Sequence, residues 1–320
     1  MKNDIFATYV KSKLNSMIPP PDPLSTLFEK SYFVGYFSQK DDIFSPLIYN
    51  AFKMKYVLLT GCSGGMGYET TKKFIDNGYF VYGLDIKEPN IKDNDNFKFI
   101  KTNLRDMSSI EEAYKIISNE IEELDSIISM AGIYDLNSLI EMSEEDFIKI
   151  FDINIFSIYR VNKTFVPLLK KKGKVIMVSS ELAPLDPLPF TGIYAITKST
   201  VEKYAYSLRM ELQLLDKYVS IIRPGAVNTS LIDVSTQKIE KFTKETINYS
   251  YNAERFKSIV DNVESKKIPP IKIANLAYKI VDKKKPRYVY NINRNPLLIM
   301  LSILPKRFQN WVIKKILISK

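Results

Sequence analysis

The chain of 320 residues contains no histidine. Any proton transfer near neutral pH must therefore use another group, because histidine is the side chain whose ordinary pKa falls in that range. Cys62 is the only cysteine. That excludes an intrachain disulfide and any Cys/His zinc cluster, and it suits a reducing, cytoplasmic setting. No metal site is expected. No secretory signal is visible at the amino terminus, and no apolar run approaches the ~20 residues needed to cross a bilayer. Acidic residues are missing from one end: residues 283–320 hold ten Lys and Arg and no Asp or Glu, leaving 36 basic and 36 acidic side chains in residues 1–282. A neutral body with a basic tail points to a local anionic partner and not to a nucleic-acid binder.

What is present is ordinary globular material, 45% hydrophobic and 26% charged, enough to bury one large core. Residues 1–53, which include the helix-breaking "IPPPDP" at 18–23, form an N-terminal extension that reads either as an arm packed on the body or, because Met54 directly precedes a strand-like run, as a segment ahead of a core that begins there. From Lys55 onward, short apolar or β-branched runs alternate with helical stretches, the mark of a parallel sheet built from βαβ units. Strands are expected at 55–60, 79–85, 97–100, 126–131, 174–179, 218–223 and 287–291. Between them, 65–78 reads as a helix with an Asn-Gly stop, and 108–121 as a helix opened by a capping box of Ser108 and Glu111. Residues 143–173 read as one long helix, bent at Pro167 and ended by Gly173. The expected fold is α/β, a doubly wound, mostly parallel seven-stranded sheet with helices on both faces.

"TGCSGGMG" at 60–67 follows the first strand and opens the first helix. In that context Gly61 and Gly65 permit a tight turn and close approach to a pyrophosphate, and Gly67 lets helix and strand pack. Asp85 ends the second strand, where a carboxylate accepts hydrogen bonds from a ribose 2′-hydroxyl and repels a 2′-phosphate, favouring NAD over NADP. Lys87 partly offsets that repulsion. "YAITK" places Tyr194 and Lys198 four apart. On a helix they share one face, so the Lys198 ammonium is expected to favour the phenolate over its ordinary pKa of ~10. A tyrosine can then serve as the general acid/base that no histidine supplies.

Together with "RPGAVNT" at 223–229, these motifs resemble the short-chain dehydrogenase/reductase family over residues 55 to about 230. The resemblance implies a Rossmann-fold oxidoreductase domain over 54–295 and a catalytic set of Asn154, Ser180, Tyr194 and Lys198, with Ser179 the competing serine. Asn154 matches the helix asparagine whose backbone holds a water in a proton relay. The resemblance also implies cofactor contacts from Gly61, Ser63, Gly65, Met66, Gly67, Asp85, Asn103, Leu104, Ala131 and Gly132. Tyr194, Lys198, Pro224, Gly225, Val227 and Thr229 would line the nicotinamide side. "SMAG" at 129–132 departs from the usual NNAG, and Asn103 stands where an Asp commonly meets the adenine amine; its amide oxygen still accepts that bond.

Residues 230–265 occupy the position of a substrate lid and carry Leu231, Ile232, Phe242, Tyr249, Tyr251 and Phe256. They read either as a cover for an elongated apolar substrate or as a surface helix with core-facing aromatics. The stretch from Pro189 to Leu212 is similar to members that act on retinoids, steroids and other lipid-like alcohols. In the tail, 296–320, the residues Phe308, Trp311, Val312 and Ile316 make an apolar helical stripe flanked by Lys306, Arg307, Asn310 and Lys314, as in an in-plane helix on a membrane surface. Its competing readings are a helix that closes the fold and a homo-oligomer interface. The expected activity is hydride transfer between NAD and a small hydrophobic alcohol or ketone in lipid metabolism, peripheral to the cytoplasmic face of a membrane. The alternatives are a soluble 3-oxoacyl-type reductase and a non-catalytic NAD-binding scaffold.

Overall fold

The computed structural model describes residues 54–91, 94–264 and 267–318. The expected extension over 1–53 lies outside them, as do the side chains of Leu231 and Ile232. Seven strands form one sheet: β1 (Lys55–Thr60), β2 (Tyr79–Asp85), β3 (Phe97–Lys101), β4 (Leu124–Ser129), β5 (Leu169–Val178), β6 (Tyr218–Pro224) and β7 (Val289–Ile292). Their order is β3-β2-β1-β4-β5-β6-β7, and every neighbouring pair is parallel. The order reverses between β1 and β4. At such a switch point the connections leave the sheet in opposite directions and open a crevice at the carboxyl ends of the strands.

Helices cover both faces: α1 (Gly65–Ile75), α2 (Met107–Glu120), α3 (Glu144–Phe151), α4 (Ser157–Phe165), α5 (Gly192–Leu212), α6 (Ser230–Glu245), α7 (Ser250–Glu264), α8 (Ile271–Asp282), α9 (Pro296–Ile303) and α10 (Lys306–Ile318). A strand buried on both sides needs apolar residues at successive positions. In β1, Leu58 joins the cluster under α2, α4 and α5, while its neighbours Val57 and Leu59 join the opposite cluster under α1 and α8. Alternate side chains of one strand thus feed two cores.

Three local readings change. The helix after β3 starts at Asp106, whose carboxylate accepts from the Ser108 amide at 3.0 Å. Asp106 has the extended backbone of an N-cap, so Ser108 lies inside the first turn and the Ser108–Glu111 capping box does not form. Such a cap is worth about 1 kcal/mol. The expected long helix over 143–173 is α3, a single π turn at Asp152–Phe156, and α4. It stops at Phe165 because Pro167 has no N–H to continue the ladder. Gly173 therefore lies within β5 and ends no helix. The register with β4 jumps from Leu124↔Leu169 to Ser126↔Lys174, a bulge where Lys172 takes φ 62. β4 runs Leu124–Ser129 and not 126–131, so Met130 and Ala131 belong to the loop that borders the crevice.

A third cluster sits above the crevice, where Phe190 packs within 4.8 Å of Phe242, 5.3 Å of Tyr249 and 5.5 Å of Phe256. Burial of each such ring stabilises by about 1.5–3 kcal/mol. The lid is also tied to the body by Lys238–Asp135 at 2.6 Å and by Thr246 Oγ1 donating to Glu141 at 2.7 Å.

Candidate active site

The crevice is bordered first by the turn after β1. Gly61 adopts φ 76, a conformation that side-chain-bearing residues rarely take, and its N–H donates to the Leu84 carbonyl at 2.9 Å. The Asp85 carboxylate then accepts from the Ser63 amide at 3.0 Å and from the Lys87 amide at 3.2 Å. Ser63 Oγ donates to the Lys87 carbonyl. Asp85 therefore braces the glycine turn as well as facing the cavity. Helix α1 begins at the end of this turn with no side chain capping it, which leaves first-turn amides available to an anion.

Around the turn, Met66, Thr102, Asn103, Leu104 and Arg105 line the same cavity. Asn103 Oδ1 already accepts from the Arg105 amide at 3.1 Å, so one of its two lone pairs is committed to the loop. From the β4 side come Ala131 and Gly132, and from the β6 side Pro224, Gly225, Val227 and Thr229. A Cβ built on Gly65 would stand 2.8 Å from Thr229 Cγ2, so the two motif segments, far apart in sequence, pack directly on each other. Every residue expected to contact the cofactor borders this one space. Its donors and glycines fit a dinucleotide.

At the other end α5 presents Tyr194 and Lys198 on one face. Both are buried, at 8% and 6% exposure. Ser180, in the loop after β5, hydrogen-bonds the Tyr194 phenol and accepts from the Leu182 amide at 3.2 Å. Ser179 points elsewhere: its hydroxyl donates to Glu202 at 2.8 Å, and Glu202 is paired with Arg223. Asn154 lies in the π turn, fully buried, with Oδ1 accepting from the Ile133 amide at 2.8 Å. Its amide nitrogen donates to the Ile133 carbonyl at 2.9 Å and to Thr197 at 3.1 Å. The side chain thus staples the loop after β4 to α5. π turns recur at functional sites because the irregular ladder re-aims backbone groups.

Burial overrides the expected charge effect at Tyr194. Removal from water pushes its pKa up to about 12, with the Ser180 hydrogen bond opposing the shift. The phenol is accordingly a proton donor in the resting site. Burial also pulls Lys198 down to about 8, its Nζ donating to the Val178 carbonyl at 3.1 Å. The unfolded chain binds this proton up to about 10.5. The burial penalty on stability is therefore complete below pH 8 and fades as pH rises from 8 towards 10.5, a total of about 3 kcal/mol. Lys198→Met is expected to abolish turnover yet raise stability at pH 7 by about 1–3 kcal/mol in denaturant melts. A less stable variant would show that the Val178 bond already offsets the desolvation.

The cavity encloses about 650 Å³. Beyond Tyr194 its wall is apolar, with Ile133, Tyr134, Leu182, Leu188, Phe256 and Ile259. Tyr134 stands edge-on to Tyr194 with ring centroids 4.5 Å apart. Glu181 also reaches the cavity, and its burial raises its carboxyl pKa. Neither residue was singled out from sequence, because each lies in a loop with no motif spacing to mark it.

A family model described as short chain dehydrogenase matches residues 55–240. A 3-ketodihydrosphingosine reductase of Bacteroides thetaiotaomicron is 25% identical over 258 residues, covering 80% of this chain and 92% of that one. Among solved structures, a short chain dehydrogenase family protein from Francisella tularensis superposes with a TM-score of 0.63 at 23% identity, covering 75% of this chain and 97% of its own. A 3-ketoacyl-(acyl-carrier-protein) reductase from Brucella melitensis, complexed with NADH, gives 0.61 at 16% identity over 74% of this chain and 96% of its own.

Proposed function

The chain belongs to the short-chain dehydrogenase family, and from that premise we propose that it reduces the ketone of a hydrophobic, lipid-like substrate, or oxidises the matching alcohol, with NAD as its cofactor. One observation carries the reading: a single cavity runs from the glycine turn, past the Ser180–Tyr194–Lys198 cluster, to a wall of apolar side chains. A dinucleotide held by the glycine turn, Gly132 and the Pro224–Thr229 segment would supply or accept the hydride. Ser180 and Tyr194 hold the substrate oxygen by hydrogen bonds. During reduction the Tyr194 phenol proton passes to that oxygen, and the Lys198 ammonium stabilises the phenolate left behind. Asn154 positions the loop that carries Gly132 and Ile133 beside this cluster. In the alcohol direction the same proton travels back.

The apolar wall favours a bulky chain or ring system over a short polar acid, and the similarity to a 3-ketodihydrosphingosine reductase supports a long-chain ketone. A chain whose one cysteine, Cys62, is buried and free relies on no disulfide, which suits a reducing compartment such as the cytoplasm. The test is a screen of hydroxy and oxo lipids, followed through the absorbance of the reduced nicotinamide. Turnover of short polar acids alone, with no lipid ketone accepted, overturns the substrate reading.

Cofactor choice has its own test at Asp85. Asp85→Ala removes the carboxylate proposed to meet the ribose and releases the Ser63 and Lys87 amides. Affinity for NAD should fall about tenfold, and the kcat/KM ratio of NADP to NAD should rise by about 10–100-fold as the repulsion disappears. An unchanged ratio places the ribose away from this carboxylate.

A further inference from the structure

The tail helices have two faces, and the sequence stripe does not name the inner one. In α10 the buried positions are Gln309 and Leu317, with Ile313 partly buried between them. Ile313 and Leu317 pack against α7, where Asn252 Nδ2 donates to the Leu317 carbonyl at 2.8 Å and Arg255 Nε to that of Ile316 at 3.3 Å. Leu317 shares a cluster with Phe256, and Phe256 lines the catalytic cavity. At the start of the tail, the Asn295 amide donates to Glu181 at 2.6 Å, and Leu298 of α9 reaches the cavity. The inner face of α9 and α10 is thus wall and buttress of the proposed substrate site.

The outer face is apolar too. Phe308 and Trp311 are exposed with rings stacked at 5.6 Å, and Leu297, Met300 and Ile303 of α9 are 61–77% exposed. Large exposed apolar groups concentrated on one element mark a contact surface. The tail's own charge is one-sided, since residues 283–320 contain no acid. Lys306 is matched by Asp186 from the body, whereas Arg307 and Lys314 lie exposed beside the aromatic pair. No helix among the described residues is long and apolar enough to cross a membrane. Apolar side chains ringed by cations fit a surface that is itself apolar beneath an anionic layer.

We propose that the outer face of α9 and α10 seats on an anionic lipid bilayer, and that this plate delivers lipid-borne substrate to the cavity its inner face walls. The delivery half rests on the lipid-ketone reading above; the seating does not. An acidic protein would match the cations but leave Leu297, Met300, Ile303, Phe308 and Trp311 without an apolar bed.

Trp311 is the only tryptophan in the chain, so its emission reports on this face directly. The full-length protein is titrated with phosphatidylcholine vesicles with or without phosphatidylglycerol. With the anionic vesicles, Trp311 emission should move to the blue and be quenched by lipids carrying a doxyl group. Arg307→Gln with Lys314→Gln should weaken vesicle affinity roughly tenfold after screening, with NADH binding unchanged. Docking should lower KM for a long-chain ketone while leaving that for a short water-soluble ketone unaltered. Unchanged emission with anionic vesicles overturns the proposal. So does emission that is already blue without lipid and tracks protein dimerisation, which assigns the face to a second copy of the chain. Docking without turnover of any ketone or alcohol refutes the catalytic reading alone. Turnover of lipid ketones with no Trp311 response refutes the surface alone.

Discussion

Tyr194→Phe is expected to lower kcat about 10³-fold with NADH affinity unchanged, because it deletes the hydroxyl that the proposed mechanism uses to pass a proton to the substrate oxygen. The ring remains, so its edge-on packing with Tyr134 at 4.5 Å and its burial persist. Ser180 keeps its bond from the Leu182 amide. Thermal stability should therefore hold within about 1 kcal/mol, and NADH fluorescence titration should match that of the unmodified protein. A pH profile sharpens the test. In the resting site burial raises the phenol pKa to about 12 and lowers that of the Lys198 ammonium to about 8. Ketone reduction should thus weaken above about pH 8, where Lys198 loses the charge that steadies the phenolate. Unmodified rates in Tyr194→Phe with a genuine substrate would show that the proton comes from elsewhere.

The second large effect is expected at Gly67→Ala. A Cβ there would stand 1.9 Å from the Gly61 carbonyl oxygen and 2.7 Å from its carbon, atoms of the backbone turn that no rotamer can move aside. The start of α1 must shift by about 1 Å or the turn must open. Either outcome withdraws amides from a pyrophosphate, and misplacement on that scale costs about 10² in affinity or rate. Overpacking of this kind also destabilises by about 1–3 kcal/mol, or a Tm loss of roughly 2–5 °C in a chain of this length. Gly64→Ala is the internal control, because its nearest neighbour would be the same carbonyl oxygen at 3.6 Å, an ordinary contact. Scanning calorimetry and NADH titration should separate the two variants. Equal behaviour would show that the close approach at Gly67 is not what holds the turn.

Gly67 also shows how much of the site was legible. Its place in the glycine-rich run was plain from sequence, but its partner was expected to be a strand and is the Gly61 carbonyl. The order of the seven strands along the chain, the glycine turn, the end of β2 at Asp85 and the Tyr194–Lys198 pair were all readable, because each rests on residues within a few positions of one another. The competition between Ser179 and Ser180 could not be closed that way. It is resolved by Glu202, 23 residues from Ser179, which takes the Ser179 hydroxyl and leaves Ser180 to the phenol. The sign of the Tyr194 shift was likewise out of reach, since desolvation depends on every element packed over the ring.

Sequence by itself determined the doubly wound sheet and the residues brought to its carboxyl edge, because strand runs, a helix repeat and a tight turn are local devices. Tertiary structure alone decided what those residues face. It placed Asp85 against the Ser63 and Lys87 amides, broke the long helix into α3, a π turn and α4, and brought Glu181 to Asn295 across 114 positions. It also chose which side of α10 is inner. Side chains one position apart on a helix differ by about 100° around its axis, and the tail carries apolar residues on both stripes. Gln309, Ile313 and Leu317 face inward, and Phe308 and Trp311 outward, because α7 lies where its own packing on Phe190 and Phe242 puts it.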